Sequence, residues 1–468
     1  MDPERRWNRR RDILMREGAV SPQDRAIGQA EVEKVIEAVR AIQSGPRVLQ
    51  LYMEICAKCG TCAIQCHVSH GDPDPHTNPA LRADRIRRLY QMDRSLIGRI
   101  LSTVKTGRGI ELDGEAIEEW VRDFYECSGC RRCAGFCPLG IDNSVITRKG
   151  RGILHALGLT PKKLSITQET SDRFGNDEGI PRTTVKEILG FIEEELRAEH
   201  GIPIRVPVDE KAEILFATAS SDILANPETL MGCAVFFHMA GLRWTLSSTA
   251  FDAANFGLFT GDDAHMKRKN KLLHDACLDL GAKRLVIGEC GHAYRVAKYI
   301  GGPNYWGEDI PYEITHIFAV AVEVLRKGGL RLDPTRNPMP VTYHDPCNFA
   351  RSSGVTDEPR EVLKACVMEF CEMEPNRSRN WCCGGGGGLA ALDGFEGVRK
   401  RDTTFHEYRM NVSGRKKLEQ IIATGASYVA APCGNCKRQI RQLMEYHGLE
   451  VEVGGVFDLF GKAAILNR

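Results

Sequence analysis

Eighteen cysteines occur in a chain of 468 residues, and thirteen of them fall into three tight groups. The first is Cys56-x2-Cys59-x2-Cys62-x3-Cys66, and Cys127-x2-Cys130-x2-Cys133-x3-Cys137, followed by Pro138, repeats it. Three thiolates at such intervals let one loop direct each sulfur at a different iron. The fourth, after a wider step, reaches the neighbouring cluster. The spacing therefore predicts two cubane [4Fe–4S] clusters, one on Cys56, Cys59, Cys62 and Cys137, the other on Cys127, Cys130, Cys133 and Cys66. Zinc also binds CxxC pairs, but its sites use two separated pairs rather than a triple and a fourth. One departure is His67, which stands after Cys66 where the motif has proline.

The third group has a different grammar: Cys347 in His344-Asp345-Pro346-Cys347, then Cys382-Cys383 before Gly384 to Gly388, then Cys433-Gly434-Asn435-Cys436. Adjacent cysteines serve a cubane awkwardly, and five thiolates exceed the four it takes, so a larger or open cluster with a bridging thiolate is expected. The glycines let backbone approach such a cluster and offer N–H donors to its sulfides; without the cysteines they would read as a tether. No Lys-Ser/Thr follows, which excludes a phosphate loop. His292 and His344 lie beside cysteine motifs, as proton donors to a departing thiolate or as hydrogen-bonded supports. Trp381 reads as a cover. Outside the groups, Cys277, Cys366 and Cys371 lie in helical patterns and read as small buried hydrophobes. Cys233 and Cys290 read as relics of an eroded ligand set.

These groups need elements to position them. Val32, Val35, Ile36, Val39 and Ile42 form one helical stripe, and Ile86, Leu89, Tyr90, Ile97, Ile100, Leu101 and Val104 another. The first region is therefore mainly helical, with metal held in loops between helices. Residues 160–210, with Pro161, Pro181, Pro203 and Pro207, read as a surface connector carrying one helix at about 184–197. Beyond 211, strands at Glu213–Ala217, Arg284–Gly288, Val341–His344 and Tyr428–Ala431 alternate with helices at 266–280, 358–370, 413–424 and 434–446. That alternation predicts an α/β region with a largely parallel sheet. The region also looks duplicated: GAKRLVIGECGHAY aligns with GASYVAAPCGNCK, pairing Cys290 with Cys433 and Ala293 with Cys436. Upstream, Cys233 aligns with Cys347 and Trp244 with Trp381, so the first copy has lost most of its ligands.

A net charge of +1 gives no general pull toward nucleic acid, and no run of 18 apolar residues spans a bilayer. Arg5, Arg6, Arg9, Arg10 and Arg11 precede a polar stretch, not an apolar one, so a cytoplasmic protein is expected. Arg82, Arg85, Arg87, Arg88, Arg94, Arg99, Lys105 and Arg108, against Asp84 and Asp93, suggest either a basic helical face for an acidic partner or anionic lipid, or a solvated face.

HDPC, WCCGGGGG and PCGNC behind a pair of ferredoxin motifs resemble the heterodisulfide-reductase HdrD-like family of CCG-domain iron–sulfur proteins, over about residues 45–460. Within it the resemblance is nearest to DsrK-type subunits of the DsrMKJOP membrane complex of sulfur metabolism. The resemblance implies a non-cubane [4Fe–4S] cluster on the residues matching Cys347, Cys382, Cys383, Cys433 and Cys436. The ferredoxin part would feed it electrons, and it would cleave a disulfide or trisulfide. The implied partners are a haem-b quinol-oxidising membrane subunit and a small cysteine-containing sulfur-carrier protein as substrate, at the cytoplasmic face of the membrane. Two departures are a long gap between Cys383 and Cys433 and the eroded first copy, which argues against a two-cluster active site. Iron–sulfur subunits of flavin-linked glycolate, lactate or glycerol-3-phosphate dehydrogenases share both modules, and a zinc-stabilised scaffold is a third reading.

The expected fold is α+β and multidomain. A basic helical extension (1–45) precedes a helical two-cluster ferredoxin domain (46–160) and a linker (161–210). A degenerate CCG repeat (211–335) and an intact one (336–468) follow.

Overall fold

The computed structural model describes residues 27–94, 112–307, 309–392 and 404–466. The N-terminal arginines, Ile97, Ile100, Leu101, Val104, Arg99, Lys105 and Arg108 lie outside them.

The first region is helical, as its stripes predict. Helix α1 (Gln29–Arg40) buries Val32, Val35 and Val39. It is followed by α2 (Arg47–Glu54), α3 (Pro79–Arg94), α4 (Gly114–Tyr125) and α5 (Asn143–Ala156). Asp113 and Asp142 cap α4 and α5, each carboxylate accepting from a backbone N–H of the first turn. Ile86, Tyr90, Trp120, Phe124, Ile146 and Leu154 form the core between them.

The described part of the basic stretch does not form a cationic face. Arg82 and Arg87 are buried; Arg87 pairs with Asp84, Arg85 with Glu119 and Asp123, and Arg94 with Glu54. Spacing on one helix could not reveal this, because two of the acids belong to α4.

Nor is 160–210 a surface connector. It contains α6 (Lys162–Phe174) and α7 (Arg182–His200), and Val185, Leu189, Ile192 and Leu196 of α7 enter the largest core. The extended piece that follows adds Ile204 and Val206. Two of the four prolines, Pro161 and Pro181, sit at helix N-termini, where a missing N–H costs nothing.

Two parallel four-stranded sheets follow. The first runs β1 (Ile214–Ala217), α8 (Pro227–Met239), β2 (Trp244–Thr245), α9 (Asp263–Asp279), β3 (Arg284–Ile287), β4 (Glu313–His316) and α10 (Ile317–Arg326). The second runs β5 (Pro340–Tyr343), α11 (Cys347–Ser353), α12 (Glu358–Cys366), β6 (Glu369–Cys371), α13 (Arg415–Thr424), β7 (Tyr428–Ala430), α14 (Gly434–Tyr446), β8 (Glu452–Gly454) and α15 (Val456–Ala463). Their orders, β2-β1-β3-β4 and β6-β5-β7-β8, are the same permutation, so the duplication is structural. The helix expected over 358–370 stops at Cys366, and Cys371 is a half-buried residue of strand β6. The additional strands have two to four residues, too few for periodicity to register.

Register corrects two pairings drawn from sequence. Ala217 pairs with Ile287 and Tyr343 with Ala430, so Ala217 is equivalent to Tyr343, and Cys290 to Cys433, three residues past each strand. Counting four past β1, the counterpart of Cys347 is Ser221, whereas Cys233 lies inside α8. Trp244 lies in β2, whose counterpart is β6, not the loop of Trp381.

The repeats face each other, with Cys290 and Cys433 forming an antiparallel bridge. Beside it α8 crosses α15 so closely that a Cβ on Gly232 would sit 1.8 Å from the Phe457 carbonyl oxygen. Only glycine permits that approach.

Candidate metal centre

Both ferredoxin loops have the same backbone. Two and four residues after the first cysteine the chain turns left-handed, at Lys58 and Gly60 in one loop and at Gly129 and Arg131 in the other. Such turns let three sulfurs of a short loop converge. Cys56, Cys59 and Cys62 line one cavity together with Cys137 from the second motif. Cys59 lies at its exposed rim.

Cys66, Cys127 and Cys133 form a deeper set. Burial, first of all, pushes the thiols of Cys66 and Cys133 up, with neighbouring cysteine charges adding to it. Arg82, buried against them, faces Cys66 and Cys127 electrostatically and donates to the Thr77 carbonyl at 3.1 Å. Cys130 turns the other way. Its sulfur, the Cys382 sulfur and a ring nitrogen of His67 all lie within 4.8 Å of one another. His67 Nδ1 donates to the Ser413 carbonyl at 2.7 Å, and its Nε2 meets Ser128 Oγ at 2.9 Å. That buried bridge explains why the position after Cys66 is not proline.

The C-terminal thiols come from three places: Cys347 at the start of α11, Cys382 and Cys383 from the loop before α13, and Cys433 and Cys436 at the start of α14. They form one continuous contact chain. Cys382 contacts Cys347, Cys383 and also Cys130; Cys383 Sγ lies 3.3 Å from Cys436 Sγ; Cys436 contacts Cys433. Hydrogen bonding among the thiols, then burial, pushes Cys347, Cys383 and Cys436 well above the ordinary thiol value. The bonds that Cys382 and Cys433 accept hold those two below it. Buried, mutually repelling sulfurs of this kind are stable as thiolates only around a cation. The donor set fits iron–sulfur clusters.

The glycine run is fixed, not a tether. Gly384 donates its N–H to Cys382 Sγ at 3.4 Å. Gly387, at φ +65°, lies so close to the ferredoxin loop that a Cβ would meet Ser128 and Cys127 backbone atoms at 2.8–2.9 Å. Buried Arg151 donates to the carbonyls of Phe124, Cys127, Phe259 and Gly387, tying the ferredoxin loop, the first repeat and the glycine run together. Trp381 is covered by the Arg132 guanidinium, 3.7 Å from its ring.

The two histidines separate. His344 is buried within 4.8 Å of the Cys383 and Cys436 sulfurs. His292 is held in the first repeat, where Nε2 accepts from the Asn255 N–H at 3.0 Å and Nδ1 lies 3.5 Å from Cys290 Sγ. Burial lowers His344 well below the usual histidine value and His292 to about 4, so both are neutral near pH 7.

Lys417 of α13 was not legible as part of the site. It is wholly buried, its Nζ donates to Asn380 Oδ1 at 2.7 Å and Gln420 Oε1 at 2.6 Å, and burial lowers it to about 7. The last of three consecutive basic residues, Arg415, Lys416 and Lys417, on a polar helix gives no sequence signal for this.

Comparisons with known proteins match both cysteine-bearing regions. Residues 341–441 match the CCG cysteine-rich domain, and residues 52–141 match the 4Fe-4S dicluster domain. The chain is 28% identical, over 93% of its length and 83% of the relative's, to an Hdr-like menaquinol oxidoreductase iron–sulfur subunit of Archaeoglobus profundus. It is 22% identical, over 88% of its length and 94% of the relative's, to a subunit of the dihydromethanophenazine:CoB–CoM heterodisulfide reductase of Methanosarcina mazei. An EtfAB:quinone oxidoreductase of Syntrophomonas wolfei is 24% identical over 83% of this chain and 55% of its own. No solved structure matches. No helix among the described residues is long and apolar enough to cross a membrane.

Proposed function

Because this chain is an HdrD-like, CCG-domain iron–sulfur protein, we propose that it is the iron–sulfur subunit of a quinol-linked membrane complex, reducing a disulfide- or trisulfide-type bond at its C-terminal centre. The observation that carries the reading is the unbroken chain of thiol contacts from Cys130 through Cys382 to Cys433. It joins the ferredoxin loops to a five-thiol site without intervening protein.

On this reading Cys56, Cys59, Cys62 and Cys137 hold the outer cubane, and Cys66, Cys127, Cys130 and Cys133 the inner one. Cys347, Cys382, Cys383, Cys433 and Cys436 hold a non-cubane [4Fe–4S] cluster. Clusters so held would supply single electrons to the sulfur bond being reduced. The protein does the rest. Gly384 N–H and Arg151 fix the ligand loops, Trp381 and Arg132 cover the junction, and Lys417 Nζ stores a proton near neutral pH for the departing thiolate. The partners this requires are a quinol-oxidising haem-b membrane subunit and a small cysteine-containing sulfur carrier, met at the cytoplasmic face.

Iron content and EPR of anaerobically purified protein test the proposal. About twelve irons are expected, with reduced clusters re-oxidised by added disulfide. About eight irons, or stoichiometric zinc, would end it. Full loading without re-oxidation would leave an electron relay of the kind found in flavin-linked dehydrogenases. Changing Cys383 to Ser should retain both cubane signals and abolish turnover.

A further inference from the structure

The C-terminal centre contains a sixth donor that the five-cysteine ligand set does not include. His344 follows β5 directly, and its backbone N–H is fixed by the Ala430 carbonyl at 2.9 Å. The next residue locks the loop: Asp345 accepts both Arg360 guanidinium nitrogens at 2.8 and 2.7 Å and the Arg377 N–H at 2.7 Å. The imidazole is therefore held by rigid backbone, 1% exposed.

Among the described histidines, His344 alone has both ring nitrogens buried without a hydrogen-bond partner. Buried polar groups in native proteins are paired, and an exception of this kind calls for a missing partner such as an ion. The other buried imidazoles near the sulfurs have theirs, His67 in Ser413 and Ser128, His292 in Asn255.

What His344 faces supplies that partner. One of its nitrogens lies within 4.8 Å of the sulfurs of Cys383 and Cys436, themselves 3.3 Å apart. Three such atoms can occupy corners of a tetrahedral site with metal–ligand bonds of about 2.0–2.3 Å. The equivalent position in the first repeat, which lacks the cysteine pair, is Thr218, whose hydroxyl is satisfied by Asp222 at 2.7 Å. The imidazole accompanies the thiols.

We propose that His344 is a nitrogen ligand of the C-terminal centre, completing with Cys383 and Cys436 the protein coordination of one of its irons. The proposal rests on the reading that an iron–sulfur cluster occupies the five-thiol site. Replacing a thiolate by a neutral imidazole at one iron raises a cluster's reduction potential, as histidine-ligated two-iron centres show.

The test uses the full-length chain, purified anaerobically with 57Fe and 15N-histidine. Iron content and Mössbauer spectra establish first whether a third cluster is present; its absence would defeat the underlying reading, and this inference with it. With the third cluster present, a Mössbauer site typical of mixed nitrogen and sulfur coordination and a strong 15N hyperfine coupling are expected. Both should survive His67→Gln. In His344→Cys, which keeps a ligand at the position, both should disappear and the potential of the centre should fall. All-sulfur coordination in the wild-type chain, or a coupling that is only weak, would overturn the assignment while leaving the cluster in place. A His344→Cys protein that fails to fold would leave the wild-type and His67→Gln spectra to decide.

Discussion

The two sheet repeats share strand order and register yet differ in what they carry at the ends of their strands. Past β5 and β7 the second repeat places His344, Cys347, Cys433 and Cys436; at the same places the first has Thr218, Ser221, Cys290 and Ala293. Charged groups of the first repeat pair with the second. Lys437 of the second repeat is fully buried and reaches across to Asp222 at 3.2 Å and Glu289 at 3.1 Å. In the opposite direction, Arg295 of the first donates to Asn348 of the second at 3.1 Å. On the proposed ligand set, the comparison teaches that one copy provides the sulfur ligands and the other the wall and the charges around them.

The sharpest way to break this contrast is at the bridged pair. Cys433→Ala should lose the irons of the C-terminal centre, counted per chain, whereas Cys290→Ala should keep all of them and cost only about 1 kcal/mol of stability. Equal iron loss in both would show that the first repeat still ligates metal. Next in size is the cross-repeat ion cluster. Lys437→Met leaves Asp222 and Glu289 buried without their cation and should cost about 3–5 kcal/mol, measured by denaturant unfolding.

The smallest effect sharpens the structural role of the first repeat. Burial lowers His316, which caps α10 by accepting from the Ala319 N–H, to about 4. Below pH 6.5 the unfolded chain binds a proton there that the folded chain refuses. Its contribution to stability is therefore complete above pH 6.5 and is lost as pH falls to 4, by at most about 3 kcal/mol. His316→Asn, which can still cap, should flatten that part of the pH–stability curve; an unchanged curve would remove the histidine from the account.

How much of this was written in the sequence differs by level. The two ferredoxin motifs, four of the strands and the duplication were readable because each rests on local spacing. The pairing of repeats was readable only around Cys290 and Cys433, where one strand and its following turn align. Farther upstream the loops have different lengths, and sheet register alone identifies Ser221 as the counterpart of Cys347. The mistaken connector at 160–210 has a similar cause. A helix at about 184–197 was expected there, but what its Leu189, Ile192 and Leu196 pack against lies in a different part of the chain. Lys417 and the buried arginines stayed hidden because charged residues on polar helices ordinarily face water, and only tertiary contacts say otherwise.

The backbone contact between Gly232 and Phe457 has a consequence for the history of the molecule. Gene duplication normally leaves the redundant half free to be discarded once its activity decays. Here the half without the cysteine pair is pressed so tightly against its sibling that deleting it would strip the cover from α15. Cysteines in one half could be replaced one at a time, while loss of the half itself was closed off.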